Sequence, residues 1–359
     1  MRTQSNKVNF NGENIYVGID VHLKSWAVTI YTEHLHHKTF SQPPVPILLW
    51  KYLDENFPGG NYYSAYEAGF CGFHIHFELE KLNIKNIVVN PADIPTSQKE
   101  HVHKNDSCDS KKIARSLRAK ELTGIHIPLI ETLENRSLLR SREMLVKDLV
   151  RFKLRIKSFL YFYGIAYPPE FEKSSCHWSK RFLKWLKEIS LNTQNGNEAL
   201  SLLITEVEQQ RLLLLEVNKK IHSLAISDKY IKEMELIRSV PGIGLITGLT
   251  FLLEIENIER FSNTDKLACF VGIIPTCHSS GETSNNGEMT FRGQIHLKKG
   301  LIESAWVASR IDPALTHSFI KLCKRMEPNK AIIRIARKLL NRIYYTLKKE
   351  HKYEYGMVK

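Results

Sequence analysis

Four acidic side chains stand where the chain can bring them together. Asp20 closes the apolar run IYVGID, Glu67 closes YYSAYEAG, and Asp106 and Asp109 share the segment KNDSCDSKKIARSLR. Carboxylates crowded in a basic chain repel one another and hold their protons more tightly unless a divalent cation neutralises them. Gathered on Mg²⁺ they become ligands. Two such ions about 4 Å apart stabilise both the entering and the leaving oxygen of a phosphodiester displacement. The three-residue spacing of Asp106 and Asp109 turns both to one side of a helix start, where the helix dipole favours negative charge. Either one alone would more ordinarily serve as a helix cap. Glu67, on a strand among Tyr66, Ala68 and Gly69, has no such ordinary role. The four together point to an enzyme acting on nucleic acid.

Other candidates are weaker one by one. Ser279-Ser280-Gly281 reads as a flexible polar loop, and a serine hydroxyl attacks phosphorus only with help from a base, a metal or neighbouring cations. Arg292, Lys298 and Lys299 follow closely enough in sequence to neutralise a phosphate. In MELIRSVPGIGLITGLTFLLEI a helix runs into Gly242 and Gly244 and a second helix leaves, the pattern of a helix-hairpin-helix. Such a turn aims backbone N–H groups at phosphate; a plain tight turn is the alternative. The pairs His74/His76 and His101/His103 lack partners at zinc-site spacing and read as surface or packing histidines. The aromatic run LYFYG is expected to pack the end of a helical seam.

The bulk numbers agree with a polyanionic partner. The chain has 359 residues, and 51 Lys and Arg against 38 Asp and Glu give a net charge of +13. An excess of that size favours DNA or RNA. The opening segment has no apolar core of a secretion signal, and the longest apolar stretch, around GLITGLTFLLEI, is too short for a bilayer. The six cysteines are scattered without a CxxC pair, which argues against a disulfide framework or a zinc ribbon. A cytoplasmic, nucleoid-associated protein with no membrane partner is expected.

From residue 15 to about 128 the expected order is three strands (IYVGID, SWAVTIYT, HKTFSQ), a helix, then alternating strands and helices. That is the order of a ribonuclease-H-like α/β domain. The middle is helical. Leu138, Leu145, Phe152 and Phe159 repeat every seven residues, with Leu149, Ile156 and Tyr163 four after the last three of them. Arg151, Arg155 and Lys157 belong to the basic outer face of this helix and are candidate nucleic-acid contacts. A second seam runs through Leu203, Gln210, Val217 and Leu224, interleaved with Val207, Leu214 and Ile221. These helices could pair within one chain or between subunits. The loop TCHSSGETSNNGEM then precedes a final run of helices. The expected division is 1–130, 131–228 as a coiled-coil linker, and 229–359 as a mainly α domain.

GIDVHLKSWAV, the YEAG strand end and NDSCDSKKIA resemble the N-terminal domain of DEDD transposases of bacterial insertion sequences, the bridge-RNA-guided recombinases. SVPGIGLITGLTFLLEI, RFSNTDKLACFVGIIP, HSSGE and RGQIHLKKGLIESAW resemble that family's second domain, so the likeness runs from about residue 15 to 350. The resemblance implies a RuvC-like first domain whose tetrad, Asp20, Glu67, Asp106 and Asp109, binds Mg²⁺, in all two ions. It also implies a serine nucleophile at Ser280, with Ser279 one step away, and a covalent phosphoserine intermediate. A structured guide RNA pairing with donor and target DNA, and a dimer or tetramer, are implied with it. Two alternatives stay open: a junction nuclease that uses water, and a non-enzymatic nucleic-acid-binding scaffold.

Overall fold

The computed structural model describes residues 9–96, 105–280 and 283–355; the side chains of residues 277–288 are outside the description, as are His101 and His103. The chain divides into two compact units at Ile127/Pro128.

The first unit is a five-stranded mixed sheet. Its strands are β1 (Asn14–Val21), β2 (Trp26–Tyr31), β3 (His36–Gln42), β4 (Asn61–Glu67) and β5 (Lys85–Val89), in the spatial order β3-β2-β1-β4-β5. β1, β2 and β3 are antiparallel neighbours, whereas β1, β4 and β5 run parallel. The parallel pairs are joined through α1 (Pro46–Asn56) and α2 (His74–Lys81), and α3 (Asp106–Arg118) follows the sheet. Each of these elements was expected from its periodicity.

Alternation along β1 explains the layering. Ile15, Val17 and Ile19 point into a core with Trp26, Val28, Leu49, Leu53, Ile75 and Leu79. Tyr16 faces the other way and packs with Tyr31 and Ala114 of α3. Both sheet faces are therefore covered, which is why β1 and β2 read as nearly continuous apolar runs. This mixed α/β sheet is consistent with the ribonuclease-H-like reading.

Among its described residues the second unit is helical apart from one hairpin. α4 (Ile130–Phe162) and α6 (Gln194–Ala225) pack against each other within one chain. Each spans about 50 Å at 1.5 Å per residue. At one end of the pair, Leu149, Ile156 and Leu160 meet Phe182, Leu186 and Val207. Here α5 (Lys180–Glu188) stacks Phe182 and Trp185 among Tyr167, Phe171 and His177. At the other end, Leu139, Val217 and Ile221 join the largest core. That core includes α7 (Ile231–Ser239), α8 (Leu245–Ile255), α9 (Thr264–Val271), α10 (Ile295–Ile311), α11 (Pro313–Cys323) and α12 (Pro328–Lys349).

Two expectations are corrected. LYFYG does not pack the seam as a block: Leu160 is buried, but Tyr161 and Phe162 are exposed. The seam carries one residue in each three or four inward, so adjacent aromatics must face out. TCHSSGETSNNGEM is not a loop but two antiparallel strands, β6 (Pro275–Ser280) and β7 (Thr283–Met289). It lacks alternating apolar residues, so backbone pairing rather than side-chain pattern defines it.

Candidate metal centre and nucleic-acid contacts

β1 and β4 are parallel with Ile19 opposite Tyr66, so Asp20 and Glu67, one residue further along, end neighbouring strands on the same edge of the sheet. Strand alternation puts Asp20 on the face of Gly18, the face that α3 covers. A Cβ on Gly18 would lie 2.2 Å from the Ser110 carbonyl oxygen and 2.4 Å from the Ala114 nitrogen, so α3 lies directly on the β1 backbone. Thr29 and Ser110 add a buried hydroxyl–hydroxyl hydrogen bond of 2.9 Å.

This docking carries the first turn of α3 to Asp20. Asn105 caps the helix, its side chain accepting from the Cys108 N–H at 2.8 Å, so neither Asp106 nor Asp109 is used as the cap. His22 Nε2 lies 3.2 Å from Asp20 Oδ2 and 3.4 Å from Asp106 Oδ2. One ligand atom from each of Asp20, His22 and Asp106 falls within 4.8 Å of the others. Two carboxylates and an imidazole can hold a divalent cation, the carboxylate oxygens being the donors that suit Mg²⁺ and the imidazole one that suits transition metals better. Burial raises the Asp20 carboxyl above its ordinary value; the Asp106 and Asp109 carboxylates add to the rise while His22 opposes it.

Asp109 lies one turn along the same helix and receives a 2.9 Å ion pair from the nearly buried Lys112. His22 and Lys112 were not singled out from the sequence. The signal for His22 was its place two residues after Asp20, on the same side of the extended chain. In the sequence Lys112, three residues after Asp109, stands among several other cations of the same segment.

Replacing Gly18 by Ala is expected to push α3 off the sheet. Overpacking of this kind costs about 1–3 kcal/mol, and it moves Asp106 and Asp109 with the helix. Thermal unfolding should fall by several degrees, and divalent-ion binding by titration calorimetry should weaken at least tenfold. A Gly18→Ala protein with parental ion affinity would sink this account of the site.

The nucleic-acid candidates are in the second unit. Arg151 is exposed and pairs with Asp148, Arg155 lies over the Phe152 ring, and Lys157 is half-buried on the same helix. Gly242 has φ +83°, and a Cβ there would lie 2.3 Å from the Ser304 carbonyl oxygen, so the turn between α7 and α8 is pressed against α10. Gly244 caps α8 and is exposed. Lys298 donates to the Thr290 and Arg292 carbonyls at 2.9 and 3.1 Å and so ties down the chain leaving β7. Burial lowers its pKa. Arg292 and Lys299 are exposed. Ser279 and Ser280 pair through their backbones with Ser284 and Thr283; their hydroxyls are outside the description.

Comparison with known proteins defines the class. A model described as Transposase, the DEDD type of IS110, matches residues 17–165, and one described as Transposase IS116/IS110/IS902 family matches residues 234–321. Together they cover more than half the chain, in the order the resemblance requires. The chain belongs to the IS110-type family of insertion-sequence transposases.

Among its relatives, the putative transposase y4qE of Sinorhizobium fredii is 28% identical over 244 residues, 68% of this chain and 58% of that protein. The transposase for insertion sequence element IS1533 of Leptospira borgpetersenii is 27% identical over 69% of this chain and 72% of its own length. The transposase for IS1111A of Coxiella burnetii is 23% identical over 94% of this chain and 88% of its own. The match thus spans less than two thirds of the first of these relatives. Among the described residues no helix is long and apolar enough to cross a membrane.

Proposed function

We propose that this chain is the transposase of an insertion sequence and that it cuts and exchanges DNA strands. The observation that carries this reading is the meeting of Asp20, His22 and Asp106 at the start of α3, which Asn105 alone caps. Asp20, Glu67, Asp106 and Asp109 of a RuvC-like first unit would hold Mg²⁺, as two ions, with His22 beside them. Bound there, the ions would neutralise phosphate charge and stabilise the oxygens that enter and leave phosphorus. The buried Lys112 would hold Asp109 in place, and the backbone contact at Gly18 would keep the whole acidic turn against the strand ends.

In this reading the hydroxyl of Ser280, with Ser279 as the neighbouring choice, attacks phosphorus. The serine oxygen–phosphorus bond forms, the bond to one sugar oxygen breaks, and the serine proton passes to that departing oxygen. Attack by a sugar hydroxyl of another strand reverses the exchange and frees the serine, so no phosphodiester is lost to water. Arg292 and Lys299 would balance the phosphate charge. The turn through Gly242 and Gly244 would act as a helix-hairpin-helix on DNA backbone, and Arg151, Arg155 and Lys157 on RNA backbone. A structured guide RNA that pairs with donor and target DNA would relieve the protein of base reading. A dimer or tetramer would combine first and second units.

The test is a suicide DNA substrate with the guide RNA, in Mg²⁺ and in EDTA. A protein–DNA adduct that survives denaturation is expected only with Mg²⁺, in the peptide holding Ser279 and Ser280, and absent from Ser280→Ala. Cleavage at full rate by Ser280→Ala would replace this mechanism by a junction nuclease that uses water.

A further inference from the structure

The last helix and the chain that follows it border an open depression that none of the proposed contacts uses. α12 ends at Glu350, in the left-handed conformation at φ 53°, and the chain turns back along the helix. Tyr353 pins this return. Its N–H donates to the Ser239 hydroxyl at 2.7 Å, and its own hydroxyl donates to the fully buried Asp312 at 2.6 Å. Arg342 donates to the same Tyr353 oxygen at 3.0 Å, and its guanidinium lies 5.7 Å from the ring centre.

The pinned strap and α12 border an open depression of about 540 Å³, with Lys338, Arg342, Lys349, His351 and Lys352 in its lining and Glu354 the one acid. A second hollow of about 450 Å³ is lined by His317, Ile320, Lys321, Lys324 and Arg325, on and just beyond α11, which packs beside α12. Seven Lys and Arg thus face two hollows of neighbouring helices against a single carboxylate. Lys338, Lys349, Lys321 and Lys324 are all exposed. Tyr345 stands in the first hollow with 53% of its surface open and Lys349 over its ring at 5.7 Å.

These cations stand along open depressions rather than scattered over a flat face, with a large exposed aromatic among them. Spaced ammonium groups match the repeated charge of a phosphodiester chain, and an open tyrosine among them matches an unstacked base. We propose that the hollows along α11 and α12 form a binding site for single-stranded polynucleotide. The site holds the backbone through Lys338, Lys349, Lys321 and Lys324 and one base on Tyr345. Arg342 is a positioning residue, since Tyr353 and Asp312 already engage it. This site rests on the nucleic-acid reading above but uses none of the residues assigned there.

The experiment uses the full chain and labelled 20-nucleotide single-stranded RNA, single-stranded DNA and duplex DNA of one sequence, with binding followed by anisotropy across a potassium chloride series. Lys338→Gln with Lys349→Gln should reduce the salt slope on single strands by about 0.7 for each phosphate no longer neutralised. Lys321→Gln with Lys324→Gln should act likewise. Tyr345→Ala should weaken single strands about tenfold and leave the duplex within twofold. The RNA and DNA arms show which strand the site prefers. Lys180→Gln with Lys184→Gln, exposed on α5, is the control and should change nothing. An unchanged slope in both lysine pairs, or equal losses in the control, overturns the site while leaving the transposase reading intact. Failure of the parental protein to bind any of the three strands overturns both.

Discussion

Asp20→Asn is expected to abolish metal-dependent DNA cleavage while leaving the metal-free protein at least as stable as its parent. The two effects have one cause. Burial, then the Asp106 and Asp109 carboxylates, raise the Asp20 pKa against the opposing His22, so the folded metal-free chain holds that proton more tightly than the unfolded one. A raised pKa stabilises the fold fully below the unfolded value, and that stability is lost as pH rises through the folded one. At neutral pH the parent therefore carries repulsion that asparagine removes. A divalent ion removes it too: at a hundredfold excess over its dissociation constant it adds about 2.7 kcal/mol.

The loss of a metal ligand removes several kcal/mol of transition-state stabilisation. At tenfold per 1.36 kcal/mol the rate should fall by about a thousandfold or more. Thermal unfolding with and without Mg²⁺ checks the stability half: a large shift in the parent, none in Asp20→Asn. A variant that still gains stability from Mg²⁺, or still cleaves at a tenth of the parental rate, would remove Asp20 from the metal centre.

Glu254→Ala is expected to give the largest loss of stability. Glu254 is 2% exposed at the end of α8, ion-paired to Arg140 and, at 3.5 Å, to Arg136, and it accepts from the Gln294 amide at 2.9 Å. Arg136 also donates to the Leu253 and Glu254 carbonyls at 2.9 and 3.2 Å, so one buried carboxylate ties α4 to α8 and the start of α10. Burial lowers the Arg136 pKa, with Glu254 opposing the fall, and Arg260 nearby is brought down to about 10, again chiefly by burial. Removing the carboxylate breaks the buried pairs to Arg136 and Arg140 and leaves Glu256 as the remaining counter-charge for Arg136 and Arg260, a loss of about 3–5 kcal/mol. For a unit of this size that is a fall of roughly 10 °C in Tm. Glu254→Gln keeps the packing and one acceptor and should lose about half as much. A Tm within 1 °C of the parent for Glu254→Ala would show that the pairs contribute nothing net.

Neither the tie at Glu254 nor its partners were visible in the sequence. In the sequence Glu254 is one acid among the apolar residues of GLITGLTFLLEI, and Arg136 and Arg140 are two cations of a basic helical stretch. Which cation of a helix turns inward depends on what packs against that helix, and the partner lies more than a hundred residues away. The seam was legible for the opposite reason. Val217, Ile221 and Ile156 are buried where their spacing places them, because a helix repeats its face whatever its partner is.

Local rules therefore reached far. Alternating and helical periods placed β1 to β5, α1, α2 and α3 in order, and the family followed from motifs that run nearly the length of the chain. Residue type and element ends nominated Asp20, Glu67, Asp106 and Asp109, and of these the structure groups Asp20 and Asp106. Only the tertiary structure decided which groups meet. Gly18 has no side chain, so α3 can rest on β1 and deliver Asp106 to Asp20, while His22 enters between them and Asp109 turns to Lys112. Periodicity is a property of neighbours along the chain, whereas a site is set by close approach across it, and close approach is settled only when both faces are packed.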